Sequence, residues 1–174
     1  NPRAATILGD VAINGKALKA RQHAVELLSR RSGEPAVDEL FRIYDAVQDV
    51  QIRKYVVAGL GNRKSPRAAE RLLAIARTAP EVELRRTAFR SIANRGDGQY
   101  LDALISMYDS EADNDLKNSL LQSIGQYQDQ RAYQKLMQVI RNASEPIERR
   151  KTAIQMLSRS KDPGVTKFLE DILK

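Results

Sequence analysis

Apolar residues recur along the chain in pairs spaced three apart. Leu8/Val11, Leu40/Ile43, Leu72/Ile75, Leu104/Met107, Leu136/Val139 and Leu169/Ile172 follow one another at 32 residues, with a single step of 33 at the end. A second series interleaves with the same period: Val25/Leu28, Val57/Leu60, Phe89/Ile92, Leu121/Ile124 and Ile154/Leu157. A spacing of three is close to one helical turn, so each pair marks one face of a helix. Two stripes per period therefore predict two helices per repeat, here A for the first series and B for the second. The expected elements are A 3–13, B 17–31, A 35–46, B 50–62, A 66–78, B 82–95, A 98–109, B 114–127, A 130–142, B 147–160 and A 163–173. Strand-type alternation is absent, and the one hairpin-like dipeptide, Asn14-Gly15, falls between two helices.

The punctuation keeps the same period. Asn1, Gly33, Ser65, Asp97, Asp129 and Asp162 precede the A helices at one equivalent position, and all are good N-cap residues. Proline follows three of them, at Pro2, Pro66 and Pro163, where its missing N–H is harmless. Asp49, Glu81, Asp113 and Glu145 open the later B helices, where negative charge suits the helix dipole. Arg21, Arg53, Arg85, Lys117 and Arg150 recur one turn into B. The extra residue of the 33-residue step lies in the turn near Pro146.

With these series in place the chain resembles the HEAT-like repeats, especially the short-period bacterial, bilin-lyase type. Val82-Glu83-Leu84-Arg85-Arg86-Thr87-Ala88-Phe89 and Ser160-Lys161-Asp162-Pro163-Gly164-Val165 look like its helix starts and turns. The resemblance implies an all-α fold, a right-handed α-α superhelix of about five 32-residue helix pairs and a C-terminal capping helix. It further implies a structural ladder in which Arg53, Arg85, Lys117 and Arg150 bond acids of neighbouring turns, with Asp49, Glu81, Asp113 and Glu145 as candidates. Gly33 and Ser65 in place of an acidic cap, and Lys117 in place of arginine, depart from the pattern locally.

The whole chain, 1–174, reads as one solenoid domain, because a helix pair cannot bury its stripe alone. Its ends differ. The last helix has Val165, Phe168, Leu169 and Ile172 on one side and polar residues elsewhere, as a terminal cap should. The first carries Ala4, Ala5, Ile7, Leu8, Val11, Ala12 and Ile13 around most of its circumference. That predicts a cover over residues 4–13, either further N-terminal repeats or a partner, and reads the chain as the C-terminal part of a longer protein.

Few residues of the chain are suited to catalysis or metal binding. There is no cysteine and one histidine, which leaves no thiolate or multi-histidine metal site and points to no metal or cofactor. His23 aligns with Tyr55, Thr87, Ser119 and Thr152 and reads as a packing or surface residue. Gly59-Leu60-Gly61 and Gly96-Asp97-Gly98 lack the Lys-Ser/Thr of a phosphate loop, and no Gly-x-Ser-x-Gly elbow occurs. Enzymes of the resembling fold carry recognisable signatures. Its iron-dependent hydroxylases use His-Glu pairs, whereas His23 here precedes Ala24; its DNA glycosylases use tryptophan-lined clefts, and tryptophan is absent. A lyase-type subunit remains the enzyme alternative, and no catalytic residue is assigned. No stretch is apolar for the length of a membrane span. No signal or transit segment is visible, and the compartment is left open.

Binding is the remaining function class. The stripe opposite the B core holds Gln22 and Glu26, Lys54 and Ala58, Arg86 and Arg90, Asn118 and Gln122, Lys151 and Gln155. Arg30, Asn62, Asn94, Gln126 and Arg159 lie beyond. In HEAT-like solenoids the B helices line the concave face. Lys54, Arg86, Arg90, Asn118, Gln122, Lys151 and Gln155 are therefore the candidate partner-binding residues, for a protein or peptide with acidic groups. The net charge of +7 also admits nucleic acid. Residues 50–95 carry eleven Lys/Arg against three Asp/Glu, whereas 96–116 carry six acids and no base. An acidic band on a phosphate track would repel it. Few aromatics stand ready to stack on bases, Tyr55 being the best placed.

Overall fold

A computed structural model describes residues 2–96 and 98–172, apart from the side chain of Pro2. Asn1 and Asp97, two of the expected cap residues, lie outside the described residues, as do Leu173 and Lys174. Eleven α-helices occupy the described residues: α1 (Pro2–Asn14), α2 (Leu18–Arg30), α3 (Glu34–Ala46), α4 (Val50–Gly61), α5 (Pro66–Thr78), α6 (Val82–Asn94), α7 (Leu101–Ser110), α8 (Asn114–Ile124), α9 (Gln130–Arg141), α10 (Ile147–Leu157) and α11 (Pro163–Ile172). They alternate as the A and B helices of a tandem helix-pair solenoid. Two compact units are formed, Asn1–Arg95 and Gly96–Lys174.

In the first unit α1 packs on α2 and α3, α2 on α4, and α4 and α5 on α6. Like therefore stacks on like, and each helix pair closes the core of the pair before it. The stripe residues Val25, Leu28, Leu40, Ile43, Val57, Leu60, Leu72, Phe89 and Ile92 are fully buried. The close approach of B helices fixes Gly61: a Cβ there would come 2.8 Å from the Ser91 Cβ and 3.1 Å from its Cα. In the second unit α7 packs on α8 and α9, and α9 on α10, around Leu104, Leu120, Leu121, Leu136, Val139 and Leu157. On α11, Val165 and Phe168 are buried, but Ile172, expected on the same inward side, is 39% exposed.

The helix ends differ from expectation in physically simple ways. Three B helices stop early, α4 by one residue and α8 and α10 by three, because their tails pass into i→i−3 turns: Arg63 N–H donates to Leu60 O, Tyr127 to Ile124 O and Ser160 to Leu157 O. The fourth A helix starts with a 3-10 turn at Gly98–Tyr100. Among the expected A-helix caps, Asp129 accepts from Arg131 N–H and Asp162 from Gly164 and Val165 N–H. Ser65 and Gly33 stand at N-cap positions without a side-chain bond, Gly33 with φ 93°. Asp49 and Asp113 cap α4 and α8 through two N–H groups each. Glu81 is the N-cap of α6 but bonds none of its N–H groups. Glu145 does not cap at all: Pro146 takes that place, and the extra residue frees Glu145 to fold inward.

Candidate protein-interaction face

The recurrent cation of the B helix does two jobs. Backward, it satisfies carbonyls at the end of the preceding A helix: Arg21 Nε donates to Ala12 O (2.8 Å), Arg53 Nε to Tyr44 O (3.2 Å) and Val47 O (2.8 Å), Arg85 Nε to Ala76 O (3.0 Å), and Arg150 Nε to Ile140 O (2.8 Å). Those carbonyls have no partner inside their own helix, and a cation suits the negative end of its dipole. Forward, it reaches the acid 28 residues on: Arg21–Asp49 at 3.8 Å, Arg53–Glu81 at 3.4 Å and Lys117–Glu145 at 3.6 Å. The backward bond was missed in the sequence, though its signal was there: the cation follows the accepting carbonyl by nine residues in three repeats and by ten across the inserted residue. A second series fastens the turns. Arg63, 8% exposed, donates to Ser29 O and Gly33 O at 3.2 Å, and burial lowers its basicity. Arg95 donates to Arg63 O.

The A helices pair charges between repeats. Arg42 meets Asp10 (2.9 Å), Arg67 meets Glu34 and Asp38 (3.0 and 2.8 Å), and Arg71 meets Asp45. In the second unit Arg131 meets Asp102 (2.8 Å) and Lys135 meets Asp109, so two acids of the 96–116 band are neutralised by the next A helix.

The outward stripe of the B helices is differently occupied. In the first unit Gln22 and Lys54 are half-buried, while Glu26, Arg30, Ala58, Asn62, Arg90 and Asn94 are exposed. Lys54 Nζ lies 3.3 Å from one oxygen of Glu83, and Arg86 Nη1 3.5 Å from the other. Glu83 thus bridges two candidate binding cations. Arg30 and Arg90 have no ion-pair partner among the described residues. In the second unit Gln122 and Gln155 are exposed, and Lys151 pairs with Glu148 one turn away (2.9 Å). Asn118 is exposed, but its carbonyl oxygen accepts from Arg149 Nε (2.7 Å), which ties it to the interior.

That interior is the feature the sequence concealed. Arg149 occupies the core position held by Ile52, Leu84 and Leu116 in earlier repeats, and its side chain is 3% exposed. It bonds Glu145 (2.6 Å), Asn118, and the backbone and side-chain oxygens of Asn114 (3.1 and 2.9 Å). Tyr108 donates to Glu145 at 2.9 Å, with the ammonium groups of Lys117 and Lys135 over its ring at 4.9 and 5.1 Å. Burial and the Glu145 carboxylate push the Tyr108 phenol well above its ordinary range. Burial opposes the charge of Glu145, but the bonds from Arg149 and Tyr108 and the charge of Lys117 outweigh it and hold its carboxyl below the ordinary value. Every ionised group here is matched, as a structural network requires.

Among the described residues no three His, Cys, Asp or Glu side chains group as metal ligands. His23 is an exposed neighbour of Glu26 at 3.6 Å. No helix is long and apolar enough to cross a membrane among the residues searched. A shallow depression of about 420 Å³ on α9 is lined, among the described residues, by Gln134, Met137, Gln138, Arg141 and Asn142.

No curated protein matches the chain. Among solved structures, that of human deoxyhypusine hydroxylase in complex with glycerol is similar with a TM-score of 0.64 over 98% of this chain and 67% of the hydroxylase chain. At 16% identity this likeness concerns the fold. The family profile of HEAT repeats matches three overlapping stretches, residues 38–124, 69–150 and 101–174. With the helix pairs, their period and the cation ladder, this places the chain in the HEAT-repeat family.

Proposed function

We propose that this HEAT-repeat protein is a non-catalytic interaction scaffold, and that the outward stripe of α2, α4 and α6 holds an acidic segment of a partner protein. One observation carries the reading. On the A helices Arg42, Arg67 and Arg71 are paired with acids of the preceding repeat, Arg77 being the exception, whereas Arg30 and Arg90 on the B stripe are both exposed and unpaired among the described residues. Lys54 and Arg86, which both meet Glu83, add two further cations to the stripe. Asn62 and Asn94 extend the row with amides that can bond a partner's backbone.

Protein is favoured over nucleic acid by the same stripe. DNA presents one negative charge per about 1.7 Å, which calls for closely spaced cations. Glu26 and Glu83 stand within this row and would repel such a track. A protein segment with spaced carboxylates can pass both. In the second unit, taken by itself, the B stripe is more neutral and amide-rich, with Gln122, Lys151 and Gln155, while Asn118 serves the fold as well as the surface.

The test is charge reversal at Arg90 and Arg86, singly and together, with capture of partner proteins from nuclease-treated lysate. The single variant at Arg90 is expected to reduce capture and the double variant to abolish it, with helicity unchanged by circular dichroism. Capture by the folded double variant at the wild-type level contradicts the assignment.

A further inference from the structure

The side of the first helix pair that faces away from α3 and α4 is uncovered, and the repeat itself specifies what would cover it. Four registers show this. Val11 is 37% exposed, while its equivalents Ile43, Ile75 and Val139 are 0, 4 and 2% exposed. Ala20 is exposed, while its equivalents Ile52, Leu84 and Leu116 are buried. Ile7 is 55% exposed; its equivalents Arg71 and Lys135 each meet an acid on the preceding A helix, Asp45 and Asp109, 26 residues back. Leu27 is 38% exposed; its equivalents Gly59, Ser91 and Met156 each lie against the last turn of the preceding B helix. A shallow depression of about 350 Å³, lined by Ile7, Asp10, Val11, Asn14 and Gly15, lies on this side.

The contacts at the Leu27 register are specific. Gly59 lies against Ser29 and Gly61 against Ser91, small residue on small. Where the register carries a long side chain, Met156, the facing residue is Gly125, and a Cβ on Gly125 would collide with the Met156 sulfur. Leu27 is the other long side chain in that register, so it calls for glycine opposite. Ile7 calls for an apolar residue where α3 and α7 have Asp45 and Asp109, because burying a carboxylate against isoleucine leaves it unpaired.

We infer that the open side of α1 and α2 docks a further helix pair of the same HEAT type, with glycine in the last turn of its second helix and an aliphatic residue near the end of its first. Two helices are needed because the exposed positions belong to both α1 and α2. The requirement for glycine separates this occupant from a generic apolar surface. It is independent of the acidic-partner reading, which concerns the outward stripe of the B helices.

A fusion tests it. A copy of residues 33–64 placed directly ahead of residue 1 keeps the 32-residue register, sets its Gly61 against Leu27 and its Asp45 position against Ile7. With Asp45→Leu in the copy, the fusion is expected to melt at a higher temperature than the chain alone and to slow amide exchange in α1 at least tenfold. Changing the copy's glycine to leucine (Gly61→Leu) is expected to remove that protection. Equal exchange in α1 with and without the copy overturns the proposal, as does equal protection from the glycine and leucine copies. Concentration-dependent dimerisation of the unfused chain, abolished by Ile7→Glu, also overturns it by assigning the face to a second copy.

Discussion

Removing the Arg149 guanidinium should cost the second unit more than any single apolar truncation on its surface. The side chain is 3% exposed and its main partner, Glu145, 8% exposed. Arg149→Ala deletes the bonds to Glu145, Asn118 and Asn114 and leaves the carboxylate facing only the Tyr108 hydroxyl and, at 3.6 Å, Lys117. Breaking a buried pair in this way costs about 3–5 kcal/mol, most of it the unmatched charge. At a typical urea slope of about 2 kcal/mol/M, the unfolding midpoint of the unit should fall by about 2 M. Removing both charges is different. Arg149→Leu restores the aliphatic side chain that Ile52, Leu84 and Leu116 provide in that register, and Glu145→Gln keeps an acceptor for Tyr108. Asn114 and Asn118 are exposed and can turn to water. The double variant should therefore recover to within about 1–2 kcal/mol of wild type, since well-packed apolar replacements of buried pairs are often neutral. Urea titrations followed by circular dichroism, with hydrogen exchange read in α8 and α10, measure both effects. A cost below about 1 kcal/mol for Arg149→Ala, or a double variant as unstable as the single one, would refute the account of a matched buried network.

Other expectations follow from the same structure. Leu60→Ala, Ile92→Ala and Ile124→Ala should each destabilise by about 2–5 kcal/mol in thermal or urea unfolding, all three side chains being fully buried; wild-type melting of all three would contradict the register. Gly61→Val should cost about 1–3 kcal/mol or more, because the added atoms meet the Ser91 backbone and not a movable side-chain end. Glu145 is held below its ordinary value of 4.5, so it contributes stability at neutral pH that is lost as pH falls below about 4.5 and through the folded value. Exchange in α10 should accelerate over that acid range, and Glu145→Gln should flatten the response.

The fold was legible because its determinants repeat. Leu60, Ile92 and Ile124 mark the same core position in successive B helices, and a period of 32 residues survives any error in one boundary. Gly61 and Gly125 stand at equivalent positions two periods apart, and each falls where B helices touch. The arginine ladder was half legible: the acids were in view, but the backbone carbonyls that Arg21, Arg53, Arg85 and Arg150 satisfy carry no side-chain signature. Arg149 was hidden for a different reason. It sits in the charged run Glu148-Arg149-Arg150-Lys151, just after the one inserted residue, and a one-residue change of phase decides which arginine points inward. The ridge residues were placed on the surface by periodicity, yet nothing in the spacing shows that Glu83 bridges Lys54 and Arg86 or that Arg149 holds Asn118. Such pairings depend on side-chain reach between repeats.

On the proposed function, the stripe of α2, α4 and α6 recognises acidic protein segments in preference to nucleic acid. The most direct measurement is fluorescence anisotropy with two labelled probes, a peptide with spaced Asp and Glu residues and a mixed-sequence DNA duplex, titrated with wild type and with the Arg86→Glu/Arg90→Glu variant at low and near-physiological salt. The account predicts that the peptide binds wild type at both salts, that the variant loses it, and that the duplex binds weakly and only at low salt. Tight duplex binding along a steep log–log salt line, with no response to the peptide, would contradict it.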